Sequence, residues 1–204
     1  MSENKNIIQE AKKYVNTILA SLEHVYYHQY AHSLDVFKRA TYLAKKEGLS
    51  KEDIEVLQIA ALFHDTGFII RYEKNEPIGA KIASNFLQSI DYEPKKIETV
   101  QRIILATDPD YKTPKDIFEE IIKDADIDNL GRDDFFEKWG KVKEELEEIK
   151  KIKISDPDWH HSMLDILYKT TFYTKTQIKE RQKIKEKNVE KLKKIISKKK
   201  QTKS

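Results

Sequence analysis

Apolar residues recur along most of this chain at intervals of three and four, the spacing that gathers them on one face of a helix. Ile7, Ile8, Ala11, Tyr14, Val15, Ile18, Leu19 and Leu22 predict a first amphipathic helix. After the aromatic-rich turn Tyr26-Tyr27-His28-Gln29-Tyr30, Val36, Phe37, Ala40, Leu43 and Ala44 predict a second, which Gly48 ends. Ser50-Lys51-Glu52-Asp53 has the form of an N-cap followed by acidic first-turn residues, so a third helix starts there and runs to His64-Asp65. Pro77 and Pro94 fit the first turns of a fourth and a fifth helix, and Pro114 opens a sixth. Asp133 or Asp134 caps a seventh, and Asp156-Pro157 starts another that carries Trp159, Met163, Leu164, Ile166, Leu167 and Phe172. Val189, Leu192, Ile195 and Ile196 continue helical spacing into the C-terminal stretch. No segment alternates with the period of a strand, and no unit of about 20–50 residues repeats. The expectation is an all-α fold: a single helical bundle of about eight helices over residues 1–178, with a basic helical extension over 179–204, frayed from Lys198.

Charge divides this picture in two. The net charge of +3 is an average. Residues 179–204 hold twelve Lys/Arg against three Glu, a net of +9, while the rest holds 26 basic against 32 acidic residues, a net of −6. The extension reads either as a solvated helix or as a nonspecific nucleic-acid contact that neutralises phosphates. No aromatic follows Tyr173, so it offers no base-stacking platform. With no cysteine, disulfides, Cys-zinc sites, iron–sulfur clusters and cysteine nucleophiles are excluded. Met1 to Asn6 lacks a signal-peptide apolar region, and no segment reaches the ~18 apolar residues of a membrane span. A cytoplasmic protein without a membrane partner is expected.

The stretch that carries candidate chemistry is Ala60-Ala61-Leu62-Phe63-His64-Asp65-Thr66-Gly67. An imidazole nitrogen beside a carboxylate oxygen suits a divalent cation. Adjacent side chains in mid-helix diverge by about 100°, so both face one ion only where the helix unwinds. Gly67 is placed to end it as a C′ glycine. His28 and His32, four apart, would share a helical face. In Lys123-Asp124-Ala125-Asp126-Ile127-Asp128-Asn129-Leu130-Gly131, the apolar Ala125, Ile127 and Leu130 around Asp126 turn that carboxylate inward. A buried carboxylate is costly unless paired.

The order His32, His64-Asp65, Asp126 on a helical chain resembles the HD-domain superfamily of metal-dependent phosphohydrolases. Tyr27-His28-Gln29-Tyr30-Ala31-His32 is similar to its first motif and Leu62-Phe63-His64-Asp65-Thr66-Gly67 to its namesake motif. Lys123-Asp124-Ala125-Asp126 with Leu130-Gly131 is similar to its last, and the likeness spans about residues 25–135. The resemblance implies His32, His64, Asp65 and Asp126 as ligands of one divalent ion: Mn, Co, Fe, Zn or Mg. It implies hydrolysis of a phosphomonoester or phosphoanhydride, a nucleotide included, by metal-activated water. A non-catalytic metal- or anion-binding sensor, or a nucleic-acid-associated adaptor, is the alternative on the same fold.

The departures from the superfamily are specific. No histidine lies between His64 and His160, which favours one metal over the dinuclear oxygenases and the cyclic-di-GMP phosphodiesterases of the same fold. The glutamate that alarmone hydrolases and 5′-deoxynucleotidases carry soon after His-Asp is replaced by Thr66-Gly67-Phe68-Ile69-Ile70-Arg71. Asn75-Glu76 with the later Ala106-Thr107 is more similar to an uncharacterised bacterial branch of predicted phosphohydrolases. Glu76 reads as a water-positioning acid or a helix-cap acid, and Asp128 as a base or a supporting group. Arg71 and Lys74 read as phosphate contacts or surface charges. His28 either orients His32, touches substrate or packs. Thr107 and Asp108 fall where a loop facing the ion is expected, and Trp159, His160 and His161 read as packing or surface.

Overall fold

The structure, a computed structural model, describes residues 7–111 and 113–201, with side chains described up to Lys198. It is all-α. The described residues form nine α-helices and two short 3-10 turns, without a strand. The helices are α1 (Ile7–Leu19), α2 (Tyr30–Lys46), α3 (Lys51–Phe63), α4 (Glu76–Ser89), α5 (Pro94–Leu105), α6 (Ile117–Asp126), α7 (Phe135–Lys150), α8 (Asp156–Lys169) and α9 (Lys175–Gln201). The helix beyond the expected eight is the C-terminal stretch itself. It stays helical through Lys198–Gln201, where fraying is expected from the sequence, and the rest of that expectation falls on residues outside the described ones. Contacts group the chain into two compact units: residues up to Glu23 with His28–Asp126, and His24–Tyr27 with everything from Ile127.

The first unit is built around α3. Ser50 accepts from the Asp53 amide at 3.1 Å and fixes where this helix begins. From Val56 to Phe63 it is almost wholly buried, and it touches α1, α2, α4, α5 and α6. A helix apolar on all sides is stable only when neighbours cover every side. The amphipathic helices supply that cover: Ala11, Val15 and Leu19 from α1, Val36, Ala40 and Leu43 from α2, and Ile97, Val100 and Ile104 from α5.

Gly67 does not act as a left-handed helix cap. The chain leaves α3 through His64 in right-handed geometry and enters a 3-10 turn, Thr66–Ile69. The glycine is required for space: a Cβ there would lie 2.0 Å from the Asn75 carbonyl oxygen and 3.0 Å from the Gly79 nitrogen. Gly79 faces the same contact from α4, where a Cβ would stand 3.0 Å from the His64 carbonyl oxygen. Two glycines thus let the backbone after α3 press on the start of α4. Across the unit, the buried Glu119 accepts from the Lys115 amide at 2.8 Å, the Tyr111 hydroxyl at 2.7 Å and Arg102 at 2.5 Å. Burial alone would raise its pKa, but these donors hold it below the usual carboxylate range.

The second unit has its own core of Leu130, Phe135, Trp159, Met163, Leu167, Phe172, Val189 and Leu192. Phe172 lies beyond the end of α8 and is buried all the same. Ser155 caps α8 by accepting from the Asp158 amide at 3.3 Å. Helix α9 packs on α8 and on the 3-10 turn Asp128–Gly131. Gly131 permits this approach, since a Cβ there would stand 2.5 Å from the Arg181 Cβ. The residues expected to form an appended extension are therefore integral to this unit. Asn188 donates to the Leu130 and Arg132 carbonyls at 3.1 and 2.9 Å. Buried Lys185 donates to the Thr170 carbonyl and lies over the Phe172 ring.

Two substitutions test the first unit. Gly67→Ala forces a backbone shift and should lower stability by about 3 kcal/mol, read as a reduced urea midpoint. Glu119→Gln cannot serve three donors and should cost about 1–3 kcal/mol. The Glu119 pKa is depressed in the fold, so its contribution is present above the unfolded-state carboxylate pKa and is lost as pH falls through the folded value. The gap between wild type and Glu119→Gln should therefore narrow in acid, which urea titrations at pH 7 and at pH 3 would measure.

Candidate metal centre

The first unit brings four polar side chains together. His32 sits in the first turn of α2, His64 caps α3, Asp65 follows it, and Asp126 is the last residue of α6. The unwinding after Phe63 (Asp65 has φ −97° and ψ 4°) lets the adjacent His64 and Asp65 face one point. His32 and His64 are 5% and 1% exposed, and Asp65 is 7% exposed. The ends of α3 and α6 are the negative poles of their helix dipoles, which adds to the attraction for a cation.

The donor atoms are closely spaced. His32 Nε2 lies 3.3 Å from His64 Nε2, 3.1 Å from Asp126 Oδ1 and 3.4 Å from Asp65 Oδ2. His64 Nε2 lies 3.1 Å from Asp65 Oδ2 and 3.4 Å from Asp126 Oδ1. Donors sharing one ion at about 2.1 Å stand about 3.0–3.4 Å apart at octahedral or tetrahedral angles. His32, His64 and Asp126 form a set whose donor atoms all lie within 4.8 Å of one another. Asp65 joins through its contacts with both imidazoles.

Two further observations fit a cation. The His64 Nδ1–H donates to the Ala61 carbonyl at 2.9 Å, so Nε2 is the nitrogen presented to the cluster. Asp65 Oδ2, though near His64, is buried without a hydrogen-bond donor. The electrostatics agree. Burial would lower the pKa of His64, but the carboxylates of Asp65 and Asp126 outweigh it and hold the value well above the ordinary one. Burial would raise Asp126, but the imidazoles of His32 and His64 hold it far below. Asp65 is also lowered, against its burial, by the charge of His64. The cluster holds positive charge strongly, as a proton or as a metal ion.

Around these four, the other candidate residues are placed as follows. His28 lies just before α2 rather than on its face, and its ring stacks on Phe68 with centroids 4.5 Å apart. Tyr72 meets both rings edge-on at 6.0 and 5.0 Å, and His28 meets His32 at 5.8 Å. Glu76 opens α4, is 6% exposed, and leaves Oε2 without a partner. Its pKa is raised by burial, and by the Asp108 and Asp65 carboxylates. Arg71 directs Nε to the Lys74 carbonyl at 2.8 Å. Lys74 has the left-handed backbone φ of 54° and its Nζ lies 3.3 Å from Asp108 and 2.5 Å from Asp110. Thr107 donates to the Ile104 carbonyl at 2.7 Å. Asp128 belongs to the second unit, where it accepts from Arg181 at 2.7 Å and Gln177 at 3.2 Å. Trp159 is buried in that unit's core and His161 is exposed.

Residue patterns did not point to Phe68 or Tyr72, and they marked Asn75 only as the neighbour of Glu76. Asn75 is buried beside Glu76 and leaves Oδ1 unpartnered. An asparagine before a Glu-Pro helix start reads as an ordinary cap, and isolated aromatics read as core. Only their placement distinguishes them.

Residues 30–129 match the family model described as the HD domain. Among solved structures, the chain is similar to a predicted HD-superfamily hydrolase from an uncultured Thermotogales bacterium, with TM-score 0.65 and 18% identity over 93% of this chain and 91% of that one. It is similar to Bacillus subtilis YpgQ, solved in complex with ADP, with TM-score 0.65 and 18% identity over 93% and 94% of the two chains. An HD-superfamily hydrolase from Bacillus thuringiensis gives TM-score 0.64 and 20% identity over 94% and 97%. At these identities the likeness is one of fold. No curated protein sequence matches the chain significantly.

A ligand set of this kind should stabilise the fold when filled. Mn²⁺ at about 100 times its dissociation constant should add about 2.7 kcal/mol, or about 5–10 °C in melting temperature for a chain of this size. A chelator should reverse the shift, and Asp126→Ala or His64→Ala should remove it. Elemental analysis should find one metal ion per chain. No shift in wild type, with no metal after reconstitution, would refute the assignment.

Proposed function

We propose that this chain, which belongs to the HD-domain superfamily, is a metal-dependent phosphohydrolase acting on a phosphomonoester or phosphoanhydride, with a nucleotide as the favoured substrate. The observation that carries this reading is the cluster of buried His32, His64 and Asp65 with the partly buried Asp126, with its ion-compatible spacings and the unpartnered Asp65 oxygen. A divalent cation held there would lower the pKa of a bound water and neutralise charge on a phosphoryl oxygen.

The chain's own residues divide the remaining work. His64 is oriented by the Ala61 carbonyl, so its Nε2 lone pair is available to the ion and not to solvent. Glu76 is the group suited to take a proton from an attacking water, because burial raises its pKa toward neutrality and one oxygen is unengaged. The half-buried rings of His28, Phe68 and Tyr72 pack on one another, with His28 5.8 Å from His32, and would offer a planar group a stacking surface. That surface and the ADP bound by YpgQ together support a nucleotide. Arg71 and Lys74 contact phosphate in this proposal only if they exchange the loop partners they now hold. Asp128 is engaged by Arg181 and is a weaker candidate for chemistry than Glu76. A cytoplasmic setting is part of the same reading and accords with a chain that has no cysteine. No helix among the described residues is long and apolar enough to cross a membrane.

The test is a phosphate panel with metal-loaded protein: nucleoside mono-, di- and triphosphates, sugar phosphates and inorganic polyphosphate. Hydrolysis should occur on at least one nucleotide, and Asp126→Ala should reduce it beyond detection. Glu76→Gln should lower kcat by about 10²–10³ with little change in KM, and should flatten the acid limb of the pH profile. A protein with full metal occupancy and no activity across the panel would instead favour a sensor built on the same site.

A further inference from the structure

The second unit carries a feature that the metal centre does not explain. Helix α9 has two unlike sides. Gln177, Asn188, Val189 and Leu192 are buried on one side, together with the pinned Lys185. Lys179, Lys183, Lys187, Lys191, Lys194 and Lys198 are all exposed. At 100° per residue these six lysines fall within about 120° of the helix circumference, away from the buried side. At about 1.5 Å per residue they span roughly 29 Å along the axis. Glu180 and Glu190 lie within the same sector and Glu186 at its edge, and Glu190 is paired with Lys193 at 3.0 Å. The face stays strongly positive, while the chain outside residues 179–204 has a net charge of −6.

We propose that this lysine face of α9 is a docking surface for the phosphate backbone of a nucleic-acid duplex, bound without sequence selectivity. Three properties choose this partner over other polyanions. The helix presents its lysines three or four residues apart in a band about 29 Å long, which matches an extended array of phosphates better than a compact anion. Val189 and Leu192 are turned into the unit's core and the lysine sector itself holds no apolar residue, so this face has nothing to bury in a lipid surface. No aromatic lies in α9, so unstacked single-strand bases find no platform. The rod is held rigid by the Asn188 bonds to the Leu130 and Arg132 carbonyls and by Lys185 on the Thr170 carbonyl. The row is therefore ordered before any partner arrives.

The experiment is fluorescence anisotropy of the full chain with a labelled 20-base-pair duplex of arbitrary sequence. The dissociation constant should rise by about 100- to 1,000-fold between 50 and 200 mM salt, as expected for four to six phosphate contacts. It should not change when the duplex sequence is scrambled. The triple variant Lys183→Gln, Lys187→Gln, Lys191→Gln should weaken binding more than 10-fold at 50 mM salt and reduce the log–log salt slope by about 3 units. An unchanged melting temperature and metal content would show that this variant is folded. The proposal is overturned by absence of duplex binding at 50 mM salt, or by wild-type affinity in the triple variant. Tighter binding to phosphatidylserine vesicles or to single-stranded DNA than to duplex would also overturn it.

Discussion

Four polar side chains meet at the end of a helix whose last two turns are almost wholly buried, and the first unit depends on how their charge is balanced. His64 and Asp65 follow directly on Val56–Phe63, a run in which only Gln58 is partly exposed. Placing two carboxylates and two imidazoles there without compensation would cost several kcal/mol. The compensation is mutual. The carboxylates of Asp65 and Asp126 raise the pKa of His64, and the imidazoles hold the carboxylates ionised. A divalent ion would satisfy the same demand more completely, because it would also engage the buried Asp65 Oδ2, which makes no hydrogen bond although His64 Nε2 lies 3.1 Å away.

That demand accounts for backbone features which otherwise look incidental. The chain must unwind after Phe63 for neighbouring side chains to converge, and the 3-10 turn that follows must then lie against the start of α4. Gly67 and Gly79 permit this contact because no Cβ stands between the two backbones. Asn75 and Glu76 are buried at the same junction, each with an unpartnered oxygen. Oxygens left in this way are destabilising unless water, a proton or a ligand completes them. Stability and chemistry are thus coupled at one place: the contact that closes the turn is also the one that brings Glu76 near the charged cluster.

The second unit follows a different logic. Its core is an ordinary apolar cluster, and several of its buried polar groups are engaged: Asp128 with Arg181 and Gln177, the Asn188 amide nitrogen with two carbonyls, Glu145 with the amides of Tyr26 and Tyr27. Asp128 shows how a motif's neighbourhood can mislead. It sits two residues after a metal-cluster carboxylate, yet its charge is matched by an arginine more than fifty residues later in the chain. Lys185 teaches the reverse: it belongs to a basic run but is buried as a structural pin.

The helices, their starts at Ser50, Pro77, Pro94 and Asp156, and the order His32, His64-Asp65, Asp126 were all legible in the amino-acid sequence. Periodicity, capping and proline geometry act locally, and a local pattern can be read without knowing the fold. The space-driven role of Gly67 was not legible, because it depends on a carbonyl at Asn75, eight residues away in sequence and in contact in space. Nor was the gathering of His28, Phe68 and Tyr72 around one another, since an aromatic residue carries no signal of which rings it will meet. The division of the basic C-terminal stretch into buried and exposed faces also needed the structure. Its composition declared the charge; only packing against α8 and the Asp128–Gly131 turn decided which lysines face solvent. The sequence by itself determined which residues could hold an ion. The tertiary structure decided that their donor atoms stand a few ångströms apart, because that separation is set by how helices far apart in the chain pack on α3.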